Sequence, residues 1–164
     1  MKNALYPDMY TSTLHPQAIA TPMDDPKPAH ATPGTHAKTE CQTVLASLVG
    51  KSAAIRFASV AMVDGRSFAH ANSASSDADP QRSAALMSSL LGLVESFSRE
   101  ALGSKALYNS TATEHGSIVM VRIPTTAKMH ILCICADASD NLAMTIRTAL
   151  DTAAQLALSI DANH

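Results

Sequence analysis

The segment between residues 59 and 93 constrains the fold of this chain more than any other part of the sequence. It reads as an apolar strand over residues 59–63, an Asp64-Gly65 turn, a short returning strand over residues 66–69 and then, after a polar loop, a helix rich in Ala, Ser, Leu and Met. Asp-Gly between two strand-like runs predicts a β-hairpin, because the central residues of such turns adopt positive φ. A hairpin that leads into one amphipathic helix predicts a small layered α/β platform used for binding.

Hydrophobic periodicity extends this pattern into the element order α-β-β-α-β-β-β-α. The predicted helices cover residues 39–50, 80–102 and 141–160, and the predicted strands cover residues 55–63, 66–71, 107–114, 117–123 and 129–136. The three helix N-caps are predicted at Thr39, Asp79 and Asp140, whose side chains accept hydrogen bonds from the first helical turn. Gly50 and Gly103 are predicted to end the first two helices.

Two of the predicted strands have opposite character. Residues 131–135 are all apolar, so both faces of the fifth strand are expected to be buried, which places this strand in the middle of the sheet with helices on each side. The third strand carries Asn109, Thr111 and Thr113, a polar pattern that is typical of an exposed sheet edge. An exposed edge is a natural site for pairing with another chain.

Composition divides the 164 residues into a tail and one domain. Six of the eight prolines precede Lys38 in a stretch without apolar periodicity, so residues 1–38 are predicted to form a disordered Pro-rich tail. Residues 39–160 form the domain, and residues 161–164 form a short C-terminal tail. The net charge of −2 favours neither nucleic acid nor an anionic membrane as a partner. Three cysteines without a signal sequence or a membrane-length apolar run indicate a cytoplasmic protein.

The sequence offers little for catalysis or metal binding. It contains neither a Gly-flanked nucleophilic Ser nor a Gly-rich phosphate loop, and a loop position and an N-cap role account for Asp77 and Asp79. Cys133 and Cys135 share one face of a strand, but a second cysteine pair that would complete a tetrahedral site is missing. We therefore expect no catalytic residue, no metal and no cofactor, with both cysteines buried and reduced.

The second helix is the most unusual element. Its apolar residues cover an arc of roughly 160° at 100° per residue, which predicts that this arc covers the sheet: Leu86, Met87, Leu90, Leu91, Leu93, Val94, Phe97 and Ala101. Beside the arc runs a row of small residues, Ala84, Ser88, Gly92 and Ser96. This row is either plain solvent-exposed surface or a close contact with a second helix. Gly92 favours the contact, because glycine inside a helix costs about 1 kcal/mol relative to alanine.

Four motifs, taken in order, resemble the roadblock (dynein light chain) domain. They are residues 60–65 (VAMVDG), 83–91 (SAALMSSLL), 116–121 (GSIVMV) and 141–143 (NLA). The resemblance implies an α+β, profilin-like fold in which a five-stranded antiparallel sheet carries the first and last helices on one face and the middle helix on the other. It also implies homodimerisation through the middle helices and the third strands, which gives a sheet that continues across both chains. Bacterial members of the family resemble regulators or scaffolds of small Ras-like GTPases.

The sequence and the resemblance together predict a non-enzymatic, dimeric binding module that regulates or scaffolds a small Ras-like GTPase. The predicted dimer contacts are Ala84, Ser88, Leu91, Gly92, Ser96, Asn109, Thr111 and Thr113. The predicted partner contacts are Gln81, Arg82, Ala85 and Ser89. Two alternatives stay open: a structural subunit that builds a larger assembly through sheet edges and the second helix without a GTPase, and a small-ligand sensor that uses the sheet–helix interface.

Overall fold

A computed structural model describes residues 33–162 of the chain. The three helices are α1 (Pro33–Lys51), α2 (Pro80–Leu102) and α3 (Leu142–Asp161). The five strands are β1 (Ile55–Met62), β2 (Ser67–Asn72), β3 (Tyr108–Thr113), β4 (Gly116–Arg122) and β5 (His130–Asp137). The predicted order of elements is confirmed. None of the helices within residues 33–162 is both long and apolar enough to cross a membrane.

The strands form one antiparallel sheet in the order β2-β1-β5-β4-β3. β5 is the middle strand, and Leu132 and Ile134 on one of its faces are fully buried. β3 lies at an edge and is exposed along nearly its whole length. Both positions are those that the apolar and polar patterns predicted, because the number of buried faces of a strand depends on its place in the sheet.

The sheet separates two hydrophobic cores. α1 and α3 pack on one face, where Leu45 and Leu156 contribute to the larger core. α2 packs on the other face, where Met87, Met120 and Ile131 belong to a smaller core. The predicted arrangement of the helices, two on one face and one on the other, is therefore confirmed. A single helix on a five-stranded sheet leaves part of that face to be covered by something else.

The first helix begins earlier than predicted. α1 starts at Pro33, so the predicted boundary of the tail at residue 38 lies inside the helix. Thr39 is not an N-cap: its hydroxyl donates to the Thr35 carbonyl oxygen (3.0 Å) one turn earlier in the same helix. Proline fits the first turn of a helix, where its missing N–H has no intrahelical partner to lose. The rest of the predicted tail, residues 1–32, lies outside the described residues.

The ends of α2 are those that the sequence predicted. The Asp79 side chain accepts a hydrogen bond from the Arg82 backbone N–H (2.6 Å), and Pro80 occupies the first helical position. Gly103 has a left-handed φ of 62° and its N–H donates to the Arg99 carbonyl oxygen, which closes the helix. Strong caps at both ends fix where α2 starts and stops over the sheet.

Two turn details differ from the sequence prediction. In the β1–β2 hairpin only Gly65 has a positive φ (85°), while the Asp64 carboxylate accepts from the Arg66 backbone N–H (3.2 Å). The N-cap of α3 is Asn141 and not Asp140, because the Asn141 side chain accepts from the Ala143 N–H (2.8 Å). Two adjacent capping residues compete for such a role, and their spacing alone does not choose between them.

Candidate functional site

One row of α2 side chains anchors the helix on its own sheet. Ala84, Met87 and Leu91 are buried, at i, i+3 and i+7, in the core that they share with Met120 and Cys133. This spacing brings side chains onto a single face of an α-helix. The helix packs mainly over β1, β2 and β5.

A second apolar row of α2 faces solvent. The exposed fractions of its four side chains are 64% for Leu86, 41% for Leu90, 69% for Leu93 and 73% for Phe97. Their spacing of four, three and four residues is the spacing of a coiled-coil seam. At 100° per residue this row lies about 120° around the helix axis from the buried row. We call these four residues the exposed α2 row.

The single apolar arc predicted from the sequence therefore consists of two rows that face different environments. The sequence prediction that Leu86, Leu90, Leu93 and Phe97 cover the sheet is wrong, because the shorter row through Ala84 does so. Four large apolar side chains in one exposed row exceed the scattered single residues that ordinary surfaces carry. The exposed α2 row is therefore a candidate interaction surface.

The free edge of the sheet adds backbone groups to this candidate surface. Leu107 and Tyr108, where β3 begins, are 84% and 40% exposed. The predicted contacts Thr111 and Thr113 are exposed and Asn109 is half-buried. Their side chains bond locally, since the Thr113 hydroxyl donates to the Gly116 carbonyl oxygen (3.0 Å). The outer backbone N–H and C=O groups of an edge strand can pair with another strand.

The row of small residues does not form one surface. Ala84 is 0% exposed and Leu91 is 3% exposed in the single chain, so both contact their own sheet, and their contact with a partner stays a prediction. Ser88 is half-buried, and its hydroxyl donates to the Val63 carbonyl oxygen in the β1–β2 hairpin. Gly92 and Ser96 are exposed. A spacing of four residues advances 400°, so such a row spirals from the buried side of a helix to the exposed side.

The four predicted partner contacts lie in the first half of α2 and are all exposed. Gln81 is held by the hairpin, because its amide oxygen accepts from the Ser67 N–H (3.2 Å) and its amide nitrogen donates to the Gly65 carbonyl oxygen (3.0 Å). Ser89 donates to the Ala85 carbonyl oxygen (3.0 Å) within the helix. The assignment of Gln81, Arg82, Ala85 and Ser89 to a partner stays a prediction.

A bidentate ion pair fixes the middle of α2 over the sheet. Arg122 on β4 donates to both carboxylate oxygens of Glu95, at 2.5 Å from Nε and 2.8 Å from an amino nitrogen. Hydrogen bonds from Arg122 lower the pKa of the Glu95 carboxyl below its usual value. Glu95 lies on the side of α2 opposite to the exposed α2 row, so its pairing with the sheet favours the rotation of the helix that leaves this row to solvent.

Glu95→Gln is expected to lower the free energy of unfolding by about 1 kcal/mol at neutral pH, because a bidentate, partly exposed pair contributes about that much. Since the pKa of Glu95 is lowered in the fold, the stabilisation is present above the unfolded value near 4.5 and is lost as the pH falls through the folded value. Urea denaturation at several pH values measures this, with Glu100→Gln on the same helix as the control. A difference from the parent that persists unchanged in strong acid would contradict the assignment.

A cavity of about 630 Å³ lies between α2 and the sheet. Leu86, Leu90 and Leu93 of the exposed α2 row line it together with Ile118 and Cys135. Its lining is predominantly apolar, which suits apolar side chains or a small apolar ligand.

The two cysteines of β5 differ in their surroundings. Cys133 is buried, as predicted, but Cys135 is only half-buried, so the prediction that both are buried is wrong for Cys135. Their sulfur atoms lie 3.9 Å apart. Their mutual hydrogen bond lowers the pKa of the Cys135 thiol and, with burial, raises that of Cys133. On the other face of the sheet, burial raises the pKa of the Cys41 thiol to about 11.

Among residues 33–162, no group of three or more His, Cys, Asp or Glu side chains could hold a metal ion. The arrangement that does stand out is a binding surface: the exposed α2 row, the cavity beside it and the free edge at β3. The spacing of four, three and four residues is visible in the sequence. This spacing is the signal that could have distinguished the exposed α2 row from the buried row.

Solved structures with the same architecture identify the fold. A structure described as MglB with a tetrameric arrangement superposes with a TM-score of 0.66 at 14% identity, over 78% of this chain and 93% of that chain. Myxococcus xanthus MglB superposes with a TM-score of 0.65 at 12% identity, over 77% of this chain and 92% of that chain. A Roadblock/LC7 domain from Streptomyces avermitilis gives 0.60 at 15% identity, over 70% and 92%. No family model and no curated protein matches the sequence. The chain has the roadblock fold, as its motifs predicted.

Proposed function

We propose that this roadblock-fold chain is a non-enzymatic binding module that forms a homodimer and, as a dimer, regulates or scaffolds a small Ras-like GTPase. The observation that carries the proposal is the exposed α2 row, which lies on the one helix that covers its face of the sheet among residues 33–162. The similarity to MglB structures and the family resemblance of the motifs support the GTPase as the partner.

The exposed α2 row fits a second copy of the same row. A two-fold axis brings identical surfaces together, so Leu86, Leu90, Leu93 and Phe97 of one chain meet the same residues of the other. Full burial of one Leu or Phe side chain contributes about 1.5–3 kcal/mol, whereas association costs about 4–15 kcal/mol. The four side chains are 41–73% exposed in the single chain, so burying what is still exposed on eight of them contributes about 7–15 kcal/mol, the magnitude that a stable dimer needs.

The free edge at β3 extends the same interface. Two β3 strands paired across the two-fold axis would satisfy each other's outer backbone groups and join two five-stranded sheets into one. The exposed Leu107 and Tyr108 lie at the start of this edge and add apolar area to it. A helix pair and a strand pair together fix the orientation of two chains better than either contact alone.

In this proposal the dimer acts on GTP hydrolysis only through its partner. A binding module changes the rate of phosphoryl transfer by positioning the loops of the GTPase that hold the phosphates, the Mg²⁺ ion and the attacking water. Gln81, Arg82, Ala85 and Ser89 are the proposed contacts, because all four are exposed on α2. Gln81 also donates to the Gly65 carbonyl oxygen at the hairpin turn.

The test is capture of partners from native lysate by the immobilised full chain, in the presence of GDP or of a non-hydrolysable GTP analogue. We expect a small Ras-like GTPase whose capture depends on the nucleotide and is lost with a chain that cannot dimerise. Partners that bind equally well with either nucleotide, none of them a GTPase, would contradict the proposal and favour the structural subunit. GTP hydrolysis by the purified chain alone would contradict its non-enzymatic character.

A further inference from the structure

Four sulfur-containing side chains line the cavity between α2 and the sheet. Its lining includes Met87, Met120, Cys133 and Cys135. The first three belong to the buried core on this face, and Cys135 packs against that core. Of the chain's three cysteines, two therefore lie in one cavity with two thioethers.

The register of β4 against β5 places three of these side chains on one face of the sheet. Cys133 and Cys135 are two residues apart on β5, so their side chains point to the same face, and their sulfur atoms are 3.9 Å apart. Met120 on β4 is the direct cross-strand neighbour of Cys133, and such neighbours have Cβ atoms about 5 Å apart on a common face. Met87 belongs to α2, on the helix side of the cavity, and it is 4% exposed.

This donor set matches a soft monovalent metal ion. Thiolate and thioether sulfurs select Cu(I), whereas zinc sites in proteins use Cys, His and carboxylate ligands. Two sulfurs at about 2.3 Å from one metal ion, at an angle near 120°, lie about 4 Å apart. The separation of 3.9 Å between the sulfurs of Cys133 and Cys135 agrees with this geometry.

The geometry points to a binding site for one Cu(I) ion, held by the sulfur atoms of Cys133, Cys135 and Met120, with Met87 as its cover. This site goes beyond the proposed function and does not depend on it. The sequence alone predicted no metal site, because a second cysteine pair is missing. The structure supplies methionine sulfurs from β4 and α2 in place of that pair.

Binding of the ion changes the protonation of the two thiols. When Cys133 and Cys135 bind Cu(I), each thiol proton passes to solvent as its sulfur–copper bond forms, because the thiolate and not the thiol is the metal ligand. Met120 donates as a neutral thioether, so the complex carries one net negative charge, which the half-buried Cys135 leaves within reach of water.

The test is an anaerobic titration of the reduced full chain with Cu(I), in competition with a chromophoric Cu(I) chelator. We expect one Cu(I) per chain and an ultraviolet thiolate-to-copper absorption band. Zn²⁺ in a parallel titration with a zinc chelator is expected to stay with the chelator. A parent chain that binds Cu(I) no more tightly than a chain with both Cys133→Ala and Cys135→Ala would overturn the site and leave the four sulfurs as core packing.

Matched variants separate ligands from packing. Cys135→Ala is expected to weaken Cu(I) binding more than about a hundredfold, because loss of a supporting partner alone already costs 10–100-fold in other sites. Met120→Leu keeps the side-chain volume and is expected to weaken binding about tenfold without unfolding the core. The controls Cys41→Ala, on the opposite face, and Met129→Leu, outside the cavity, are expected to bind as the parent does. Equal affinities of Cys135→Ala and the parent would also overturn the site.

Discussion

Simultaneous replacement of Leu93 and Phe97 by glutamate is expected to convert a dimer into a folded monomer. Both side chains are about 70% exposed in the single chain (69% and 73%), so their loss removes little from the core. In the proposed dimer the two substitutions place four carboxylates at the helix contact. Burying such charges without partners costs more free energy than the apolar contact contributes. Light scattering measures the mass, and circular dichroism and thermal melting report the fold.

A matched substitution on the other side of the sheet controls for the added charge. Leu158 on α3 is 75% exposed, so Leu158→Glu makes the same chemical change at an equally exposed leucine away from α2. We expect this variant to stay dimeric and to keep its GTPase binding, whereas the α2 variant loses both. An α2 variant that keeps the parent's mass would show that the exposed α2 row is not the interface. So would a Leu158→Glu chain that becomes monomeric.

Gly116→Ala is expected to lower the free energy of unfolding by at least about 3 kcal/mol. The new Cβ would collide with backbone atoms, and alanine would have to adopt a φ that residues with a side chain rarely adopt. Gly116 has a φ of 152°, and a Cβ built on it overlaps sterically with the Ala136 carbonyl oxygen and lies 2.7 Å from the Asp137 Cα. These atoms belong to β5, the middle strand, so neither partner can shift without disturbing the sheet. Urea denaturation followed by circular dichroism measures the loss.

Gly92→Ala provides the control for this change. A Cβ at Gly92 meets nothing within 4 Å, and the residue is exposed in the interior of a helix. We expect this variant to be more stable than the parent by about 0.5–1 kcal/mol, because alanine is the better helix former. A Gly116→Ala chain as stable as the parent would contradict the tight backbone packing at the start of β4.

The elements and the sheet were predictable because local chemistry decides them. Asp79 and Gly103 have strong capping signals at the two ends of α2, and no neighbouring residue competes for either role. β5 is apolar on both faces, and only a strand in the middle of the sheet has both faces buried. The start of α1 was missed, because Pro33 belongs by composition to the proline-rich stretch but by position to the first helical turn.

The candidate site was harder to predict, because it depends on which apolar row of a helix meets the sheet. Met87 and Leu90 are both apolar and lie within one predicted arc, only about 60° apart around the helix axis, yet one is in the core and the other at the surface. The sulfur cluster was missed for a similar reason. Met120 and Cys133 are thirteen positions apart in the sequence and become neighbours only through the register of β4 against β5.

Sedimentation equilibrium of the unmodified full chain at tens of micromolar tests the dimer itself. The proposal predicts a mass of twice the 17.2 kDa chain, unchanged on moderate dilution. The exposed α2 row and the free edge at β3 would then be covered in solution. A mass of 17.2 kDa across the whole concentration range would contradict it, because those surfaces would then remain exposed to water.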